Sequence, residues 1–176
     1  MAVYSVFEST NMASTHYAER IFDCVCDELV ENGMFGHIEE LAEEGGVVYK
    51  FVKGVKEGFP TVVCDQPAWT EDTSRMTNQR KDKFAVEAGV VFRARVIKKN
   101  DEFALSPEGF DAEPVVGKYV SVADTGKLAV ADAAPEGAVM VGKIMRKRQI
   151  GSTLVTKVRE YGYARMMYAV KVESLA

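Results

Sequence analysis

Short apolar runs separated by turn residues dominate the chain from residue 46 onward. Four of them come first: "VVYKFVKGV", "TVVCD", "GVVFRARVI" and "EFALS". Three more follow towards the C-terminus: "AVMVGKIMRKRQIG", "STLVTKV" and "ARMMYAVKV". Runs of this length, bounded by turn residues, are typical of β-strands in a sandwich or barrel. We therefore predict a mainly β fold, a sandwich or barrel-like domain of short antiparallel strands with at most one or two short helices.

Two segments predict β-hairpins. In "YVSVADTGKLAVAD", Val120 and Val122 alternate with small or polar residues, and alternation resumes at Leu128 after an Asp-Thr-Gly turn. In "VVFRARVIKKNDEFALS", the Asn-Asp pair at residues 100–101 separates two apolar runs and suits a tight connection. We expect the two strands of each segment to pair with one another.

Strict alternation also assigns the faces of the two long C-terminal strands. One side of the basic segment should carry Lys143, Met145, Lys147 and Gln149. Its other side should carry Ile144, Arg146, Arg148 and Ile150. One face of the last strand should carry Ala164, Met166, Tyr168, Val170 and Val172.

Residues 14–45 fit two interpretations. Six apolar residues lie on one helical face, and Ser14 or Thr15 could cap such a helix: Ile21, Phe22, Val25, Cys26, Leu29 and Val30. The Asn-Gly pair at residues 32–33 favours instead a hairpin between "IFDCVCDELV" and "MFGHIEEL". An Asn-Gly pair also ends helices, so both interpretations stand. We favour strands, with "IEELAEE" as a helical turn.

Composition and charge narrow the range of functions. The chain has 176 residues, of which 47% are hydrophobic, enough for one domain to bury a core. The formal net charge is −4, so no overall positive field would hold the chain on nucleic acid, and we expect no specific nucleic-acid partner. We see no signal-peptide pattern and no apolar run of about 20 residues, so we expect a soluble protein without a membrane partner.

The chain offers few residues for metal or cofactor chemistry. Cys24, Cys26, Cys64 and His37 could supply four zinc ligands, but their spacing matches no zinc ribbon or finger. We expect the cysteines to be reduced core residues and predict no metal site. No phosphate-binding glycine motif, metal-binding histidine helix or serine nucleophile motif occurs, so we predict no cofactor. His37 and His16 are the histidine candidates for a general base, and we expect both to be surface or loop residues.

Carboxylates leave open a hydrolase that uses a pair of acidic side chains. One acidic run is typical of a solvated face: Glu39, Glu40, Glu43 and Glu44. A second group is expected in loops: Glu71, Asp72, Asp101 and Glu102.

A long polar segment, "PAWTEDTSRMTNQRKDKF" at residues 67–84, contains the single tryptophan of the chain, Trp69. Loops longer than about 12–15 residues in a compact domain are usually functional or disordered. Tryptophan is common at interface hot spots, and it also caps barrel ends, so both roles are open for Trp69. The basic segment that contains Arg146 and Arg148 is either an exposed strand kept soluble by charge or a patch that docks on an acidic partner.

Four segments resemble parts of tailed-bacteriophage virion proteins, with the nearest likeness to head-decoration, or cement, proteins: "VENGMFGHIEELAE", "DQPAWTEDTSRMTNQRKDKF", "GVVFRARVIKKNDEFALS" and "VGKIMRKRQIGSTLVTKV". This resemblance implies a β-rich protein without catalytic residues. It also implies a homo-oligomer, with a trimer as one form, bound to the major capsid protein on the virion surface after assembly in the bacterial cytoplasm. It further implies an extended N-terminal arm, residues 1–15, that adds a strand to a neighbour, followed by a single β-rich domain over residues 16–176.

We therefore expect a non-enzymatic structural protein of a phage particle, most simply a capsid decoration protein. Alternatives are a phage tail or neck component, a host-binding β module, or the hydrolase considered above. The expected partner-contact residues are Val3, Tyr4, Phe7, Trp69, Arg75, Arg80, Arg146 and Arg148.

Overall fold

The computed structural model describes residues 3–16, 21–44, 46–68, 80–150 and 165–176. Within these ranges the fold is mainly β, as predicted, and its helical elements are three-residue 3-10 turns at Ala13–Thr15, Lys81–Lys83 and Pro107–Gly109. The strands are β1 (Phe7–Asn11), β2 (Ile21–Val25), β3 (Val30–Glu31), β4 (Phe35–Leu41), β5 (Tyr49–Lys53), β6 (Thr61–Cys64), β7 (Ala85–Val86), β8 (Phe92–Val96), β9 (Glu102–Leu105), β10 (Tyr119–Val122), β11 (Leu128–Ala131), β12 (Met140–Ile150) and β13 (Arg165–Leu175).

Five strands close into a small barrel in the order β2-β5-β4-β6-β8. The pairs are antiparallel except β2 with β5, which is parallel. Aromatic residues Phe51 and Phe92 pack edge to face inside the barrel, with ring centroids 5.3 Å apart. The interior is otherwise filled by small and medium side chains, including all three cysteines: Cys24, Cys26, Val30, Met34, Ile38, Val62, Cys64, Val86 and Ala94.

A six-stranded sheet packs against the outside of the barrel, with strand order β1-β9-β13-β12-β10-β11. Barrel strand β6 explains how the two layers share a core. Val62 and Cys64 face the barrel interior, whereas Val63, between them, belongs to the cluster that includes the sheet. The inner face of the sheet contributes Phe7, Phe103, Leu105, Val120, Leu128, Met140, Ile144, Val170 and Val172 to that cluster.

The predicted hairpin over residues 119–132 is confirmed. β10 and β11 pair with Val120 opposite Val130 and Val122 opposite Leu128. Gly126 in the turn has a φ of +80°. Its carbonyl oxygen accepts a hydrogen bond of 2.8 Å from the N–H of Phe35 in barrel strand β4. The hairpin turn therefore also joins the sheet to the barrel.

The predicted pairing of the strands on either side of residues 98–101 is wrong. The turn itself is present, because the Asp101 N–H donates to the Lys98 carbonyl at 3.1 Å and Asn100 adopts a φ of +71°. However, β8 pairs with β2 and β6 in the barrel, whereas β9 pairs with β1 and β13 in the sheet. The turn therefore carries the chain from one layer to the other.

The favoured strand interpretation is confirmed at β2 and β3, whereas Ser14 and Thr15 lie in a 3-10 turn and the hairpin at Asn32-Gly33 is wrong. β2 and β4 are both barrel strands that do not pair with one another. Instead, the short β3 before this turn pairs with β7. The helical turn expected in "IEELAEE" is also wrong, because β4 continues to Leu41.

A β-bulge at Met145 changes the faces of β12. Ile144 pairs with Val170 and Arg146 pairs with Ala169, so two residues of β12 match a single step on β13. Ile144 is fully buried on the inner face, whereas Arg146 reaches the outer face. The prediction that Ile144 and Arg146 share a side is therefore wrong.

The predicted face of β13 is confirmed for its described residues. Tyr168, Val170 and Val172 contact the inner core. Met166 is 38% exposed, and its neighbour Met167 is fully buried on the opposite face. Ala164 lies outside the described residues.

Candidate docking surface

The paired ends of β12 and β13 extend past the rest of the sheet. β10 pairs with β12 up to Lys143, and two further bonds join Gly117 and Lys118 to Ile144. On the other side, the pairing of β9 with β13 ends at Tyr168. Residues 145–150 and 165–167 therefore form a two-stranded segment beyond β9 and β10, which we call the ribbon.

Within the described ranges the ribbon has an unpaired edge on each strand, and we call the longer one, at residues 145–150 of β12, the open edge. On its inner side, β12 pairs with β13 as far as Ile150 opposite Arg165. On its outer side, no strand in the described ranges pairs with it beyond Lys143. Such an edge presents backbone N–H and carbonyl groups that another strand can bond.

Two arginines of the ribbon lie on the outer face of the sheet and pair with glutamates of the neighbouring strands. Arg146 donates to Glu102 of β9, and Arg148 donates to Glu8 of β1. The side chains of these arginines are 59% and 48% exposed. Such surface pairs contribute only about 0–1 kcal/mol each, so the guanidinium groups remain available to a partner. Both predicted contact arginines are therefore at the surface.

Small side chains between these ion pairs leave a shallow depression of about 70 Å³. Ala104 and Ala169 lie opposite one another at its floor. A space of this size holds little more than water. The outer face is consequently a nearly flat, charged surface.

The other side of the ribbon carries Lys147 and Gln149, which are both exposed. Lys147 lies opposite Tyr168. Met145, the bulge residue, is 47% exposed, and the nearby turn before Gly117 exposes Val115 and Val116 by 46% and 45%. The ribbon thus combines positive charge with exposed apolar side chains.

A buried ionic cluster lies beside the start of β13. Asp82 is 1% exposed, and both of its carboxylate oxygens accept hydrogen bonds from Arg80, at 2.9 and 2.8 Å. Arg165 donates to Asp82 at 2.8 Å and also to Glu108. The Tyr4 N–H donates to the Asp82 carbonyl at 3.0 Å, so the cluster also holds the N-terminal segment.

Electrostatics in this cluster favour the ionised carboxylates. Burial alone would raise the pKa of the Asp82 carboxyl, but the hydrogen bonds and charges of Arg80 and Arg165 outweigh burial and hold that pKa below its ordinary value. Burial also acts to raise the pKa of Glu108, and hydrogen bonds from Ser106 and the backbone, together with Arg165, lower it overall. Both groups are therefore charged at neutral pH.

The predicted N-terminal arm is partly incorporated into the sheet. β1 pairs with β9 of the same chain, with Phe7 opposite Leu105. Phe7 is 5% exposed and faces the core, contrary to the expectation that it meets a partner. Val3 is 43% exposed and Tyr4 is half-buried, so these two residues remain at the surface.

Of the three partner-contact residues predicted in the polar segment at residues 67–84, the structure describes only Arg80. Trp69 and Arg75 lie outside the described residues. Arg80 is 26% exposed and pairs with Asp82, so its guanidinium has a structural role within the chain. No motif distinguishes Asp82 in the sequence, where "KDK" suggests a solvated loop.

The cysteines occupy the barrel core, as predicted, and all are free thiols. Burial, with a smaller contribution from Asp23, raises the pKa of Cys24 to about 12. Burial likewise raises the pKa of Cys64. Across the described ranges, no group of three or more histidine, cysteine or acidic side chains is placed to hold a metal ion.

The two histidines differ in environment. His16 is exposed in a turn, as expected. His37 is only 6% exposed, so its prediction as a surface or loop residue is wrong. Its Nδ1 lies 2.8 Å from the Gly54 carbonyl oxygen, and its Nε2 lies 3.3 Å from Glu39. His37 lies in barrel strand β4, and these two contacts satisfy both of its ring nitrogens.

The described loop carboxylates have structural partners. Asp101 is 4% exposed and accepts hydrogen bonds from the N–H groups of Lys98 at 2.7 Å and Ala13 at 2.9 Å. Glu102 lies in β9 and pairs with Arg146. Glu71 and Asp72 lie outside the described residues.

A cleft of about 560 Å³ separates the barrel from the β10–β11 turn. Its apolar floor consists of Cys26, Met34 and Phe51, all buried. On its rim, Lys53 Nζ lies 2.6 Å from the Glu28 carboxylate, so opposite charges already pair there. The remaining rim residues are Asp27, Val52, Asp124, Thr125 and Lys127.

Within the part of the chain that the structure describes, no helix is both long and apolar enough to cross a membrane. Comparison of the chain with protein-family models, with curated proteins and with solved structures found no match in any of the three.

Proposed function

We propose that this protein is a non-enzymatic structural protein of a tailed-phage particle, a decoration protein that binds the outer surface of the capsid. The observation that carries the proposal is the ribbon, where exposed Arg146 and Arg148 lie beside an open edge. Charged groups at a rim increase the rate of encounter, and an open edge can add a partner strand. The ribbon therefore combines exposed charge, which favours encounter with a partner, and a strand edge that can bond a partner strand.

The sequence resemblance to decoration proteins supports the same proposal, in which the partner is the major capsid protein. It also supports a homo-oligomer, with a trimer as one form. On an icosahedral shell the contact would be repeated many times, so modest individual interfaces would combine through multivalency. Weak surface ion pairs such as Arg148 with Glu8 are compatible with such a mechanism.

Quantitative mass spectrometry of purified virions tests the proposal. A decoration protein should be present at a copy number comparable to that of the major capsid protein. A few copies per particle would overturn this assignment in favour of a tail or neck component. Absence from the particle would overturn the virion role altogether.

A double variant, Arg146→Ala with Arg148→Ala, tests the residues that the proposal uses. Because both side chains are at least 48% exposed, the variant should fold and yet show reduced occupancy on capsids. Lys50→Ala is the control, since Lys50 is also an exposed cation paired with a glutamate, Glu40, but lies in the barrel. If the double arginine variant and the Lys50→Ala control occupied capsids equally, the ribbon would not be the capsid contact.

A further inference from the structure

We propose that the open edge binds an acidic, extended segment of the major capsid protein as an added β-strand. This inference rests on the function proposed above and specifies the chemistry of the contact. It combines three observations on the described residues: the unpaired side of β12, the sequence of cations along it, and the apolar residues beside its start.

The geometry of the open edge favours an added strand. Residues 145–150 are held in an extended conformation by pairing with β13, and among the described residues no strand pairs with their other side. A preformed edge lowers the total entropy cost of binding, because only the partner segment has to become ordered. Backbone hydrogen bonds would then supply affinity, and side chains would supply selectivity.

The charges on the open edge disfavour antiparallel pairing with a second copy about Lys147. Three consecutive cations occupy the centre of the edge: Arg146, Lys147 and Arg148. Antiparallel pairing of two copies about Lys147 would place each Arg146 opposite the Arg148 of the other copy. Like charges directly opposite one another destabilise a strand pair. Self-association in this register is therefore disfavoured.

The same charges select an acidic partner strand. β12 contains no acidic residue. Lys147 is exposed on one side of the ribbon, and Arg146 and Arg148 on the other, so carboxylates on both faces of an added strand would meet cations. Opposite charges across a strand pair stabilise it, and an arginine that already bonds one carboxylate keeps further N–H donors.

Apolar contacts at the start of the edge would add to the binding. Met145, Val115 and Val116 are each about half exposed, at 47%, 46% and 45%. The Gly117 N–H donates to the Ile144 carbonyl at 2.8 Å, which brings the turn that contains both valines next to Met145. An apolar side chain at one end of the added strand would cover this patch.

The experiment uses the full-length protein and capsids assembled from the major capsid protein of the same phage. Binding is measured by co-sedimentation for the wild type, Lys147→Glu and Lys99→Glu. Lys99 is an exposed lysine in the turn between β8 and β9, so both variants change the net charge equally. We expect Lys147→Glu to weaken binding by about tenfold and Lys99→Glu to leave it nearly unchanged.

Hydrogen–deuterium exchange of the capsid-bound protein tests strand addition itself. Amides of residues 145–150 should exchange more slowly in the bound state, because an added strand bonds to the backbone, whereas side-chain contacts alone would leave their exchange unchanged. Unchanged exchange in the bound protein, or equal binding of Lys147→Glu and wild type, overturns the inference and leaves the proposed function standing.

Two further outcomes are informative. Slow amide exchange at the open edge of the isolated protein would overturn the inference. If that protection were independent of protein concentration, the edge would be covered by its own chain. If it increased with concentration, the edge would be covered by a second copy. Failure of the wild type to bind capsids would overturn the proposed function, and the inference with it.

Discussion

Arg165, the first residue of β13, donates a hydrogen bond to the buried carboxylate of Asp82 at 2.8 Å. Because Asp82 also accepts two bonds from Arg80, a single side chain holds the far end of the ribbon and the 3-10 turn Lys81–Lys83 together. The ionic cluster therefore ties the far end of the ribbon to the rest of the molecule.

Asp82→Asn should reduce the free energy of unfolding by roughly 3 kcal/mol, because it leaves two partly buried guanidinium groups without their carboxylate. Asp132→Asn is a matched control, since the Asp132 side chain is 90% exposed and pairs with Lys118 at 3.1 Å. The control should lose less than about 0.5 kcal/mol. Urea denaturation measures both values. If Asp82→Asn and Asp132→Asn lost similar free energies of unfolding, burial of the ionic cluster would not be what determines its contribution to stability.

Acid should remove the contribution of the ionic cluster. The pKa of Asp82 is lowered in the folded state, so its contribution is fully present above the unfolded-state pKa and is lost as the pH falls through the folded-state pKa. Stability of the wild type should thus decline below about pH 4. The difference between wild type and Asp82→Asn should shrink over the same range, as measured by denaturation at several pH values. Glu108, whose pKa is also lowered, should preserve part of the acid dependence in the variant. A constant difference down to pH 2 would contradict this prediction.

Deletion of Met145 should be tolerated, because the bulge places Met145 and Arg146 opposite a single residue, Ala169. Without Met145 the ladder becomes regular and Arg146 stays on the outer face, so we expect a loss below about 1 kcal/mol. Deletion of Lys147 should instead invert the residues that follow it.

In the Lys147 deletion, Arg148 would lose Glu8, and Ile150 would lose its contact with the cluster of Val6, Ala104 and Met167. We expect a cost of about 2 kcal/mol for this deletion. Urea denaturation compares the two deletions. A larger loss for the Met145 deletion would contradict the assignment of the bulge.

Asn100 should tolerate glycine but not a β-branched residue. Its φ of +71° lies in the left-handed region, where asparagine and glycine are favoured. Asn100→Gly should change stability by less than about 0.5 kcal/mol, and Asn100→Val should reduce it by about 1–2 kcal/mol. Thermal denaturation distinguishes the two variants. Equal midpoints would indicate that the turn relaxes without strain.

Cys24 and Cys64 should not react with a thiol reagent at pH 8 in the folded protein. Burial raises the pKa of both thiols, that of Cys24 to about 12, and the thiolate is the reactive species. Mass spectrometry of labelled peptides should find both sites unmodified in buffer and modified in denaturant. Rapid labelling of either site in buffer would indicate that the barrel opens frequently.

Local signals in the sequence predicted some elements correctly. The β10–β11 hairpin was identified because its alternation and its Gly126 turn lie within one short segment. The turns at Asn32-Gly33 and Asn100 were also identified, but their flanking strands pair elsewhere. Turn chemistry is local, whereas the choice of partner strand depends on packing between the barrel and the sheet.

Strict alternation failed where the backbone departs from regular geometry. A single additional residue, Met145, moves Arg146 to the face opposite Ile144, and no sequence signal marks that bulge. The arginines of the candidate site were identifiable as a basic cluster. Their partners were not, because Glu102 is 44 residues from Arg146 and Glu8 is 140 residues from Arg148. Asp82 was missed because its burial depends on Arg165, which is 83 residues away, as well as on Arg80.

The pairing of Ile150 with Arg165 at the end of the ribbon has a mechanical consequence. A force that pulls this end away from the molecule would draw β12 and β13 out together, parallel to their own axes. Their bonds to β9 and β10 would then be loaded in shear and would resist simultaneously, instead of opening one after another as in peeling. The ribbon is therefore oriented so that tension from a bound partner would be distributed over the whole sheet.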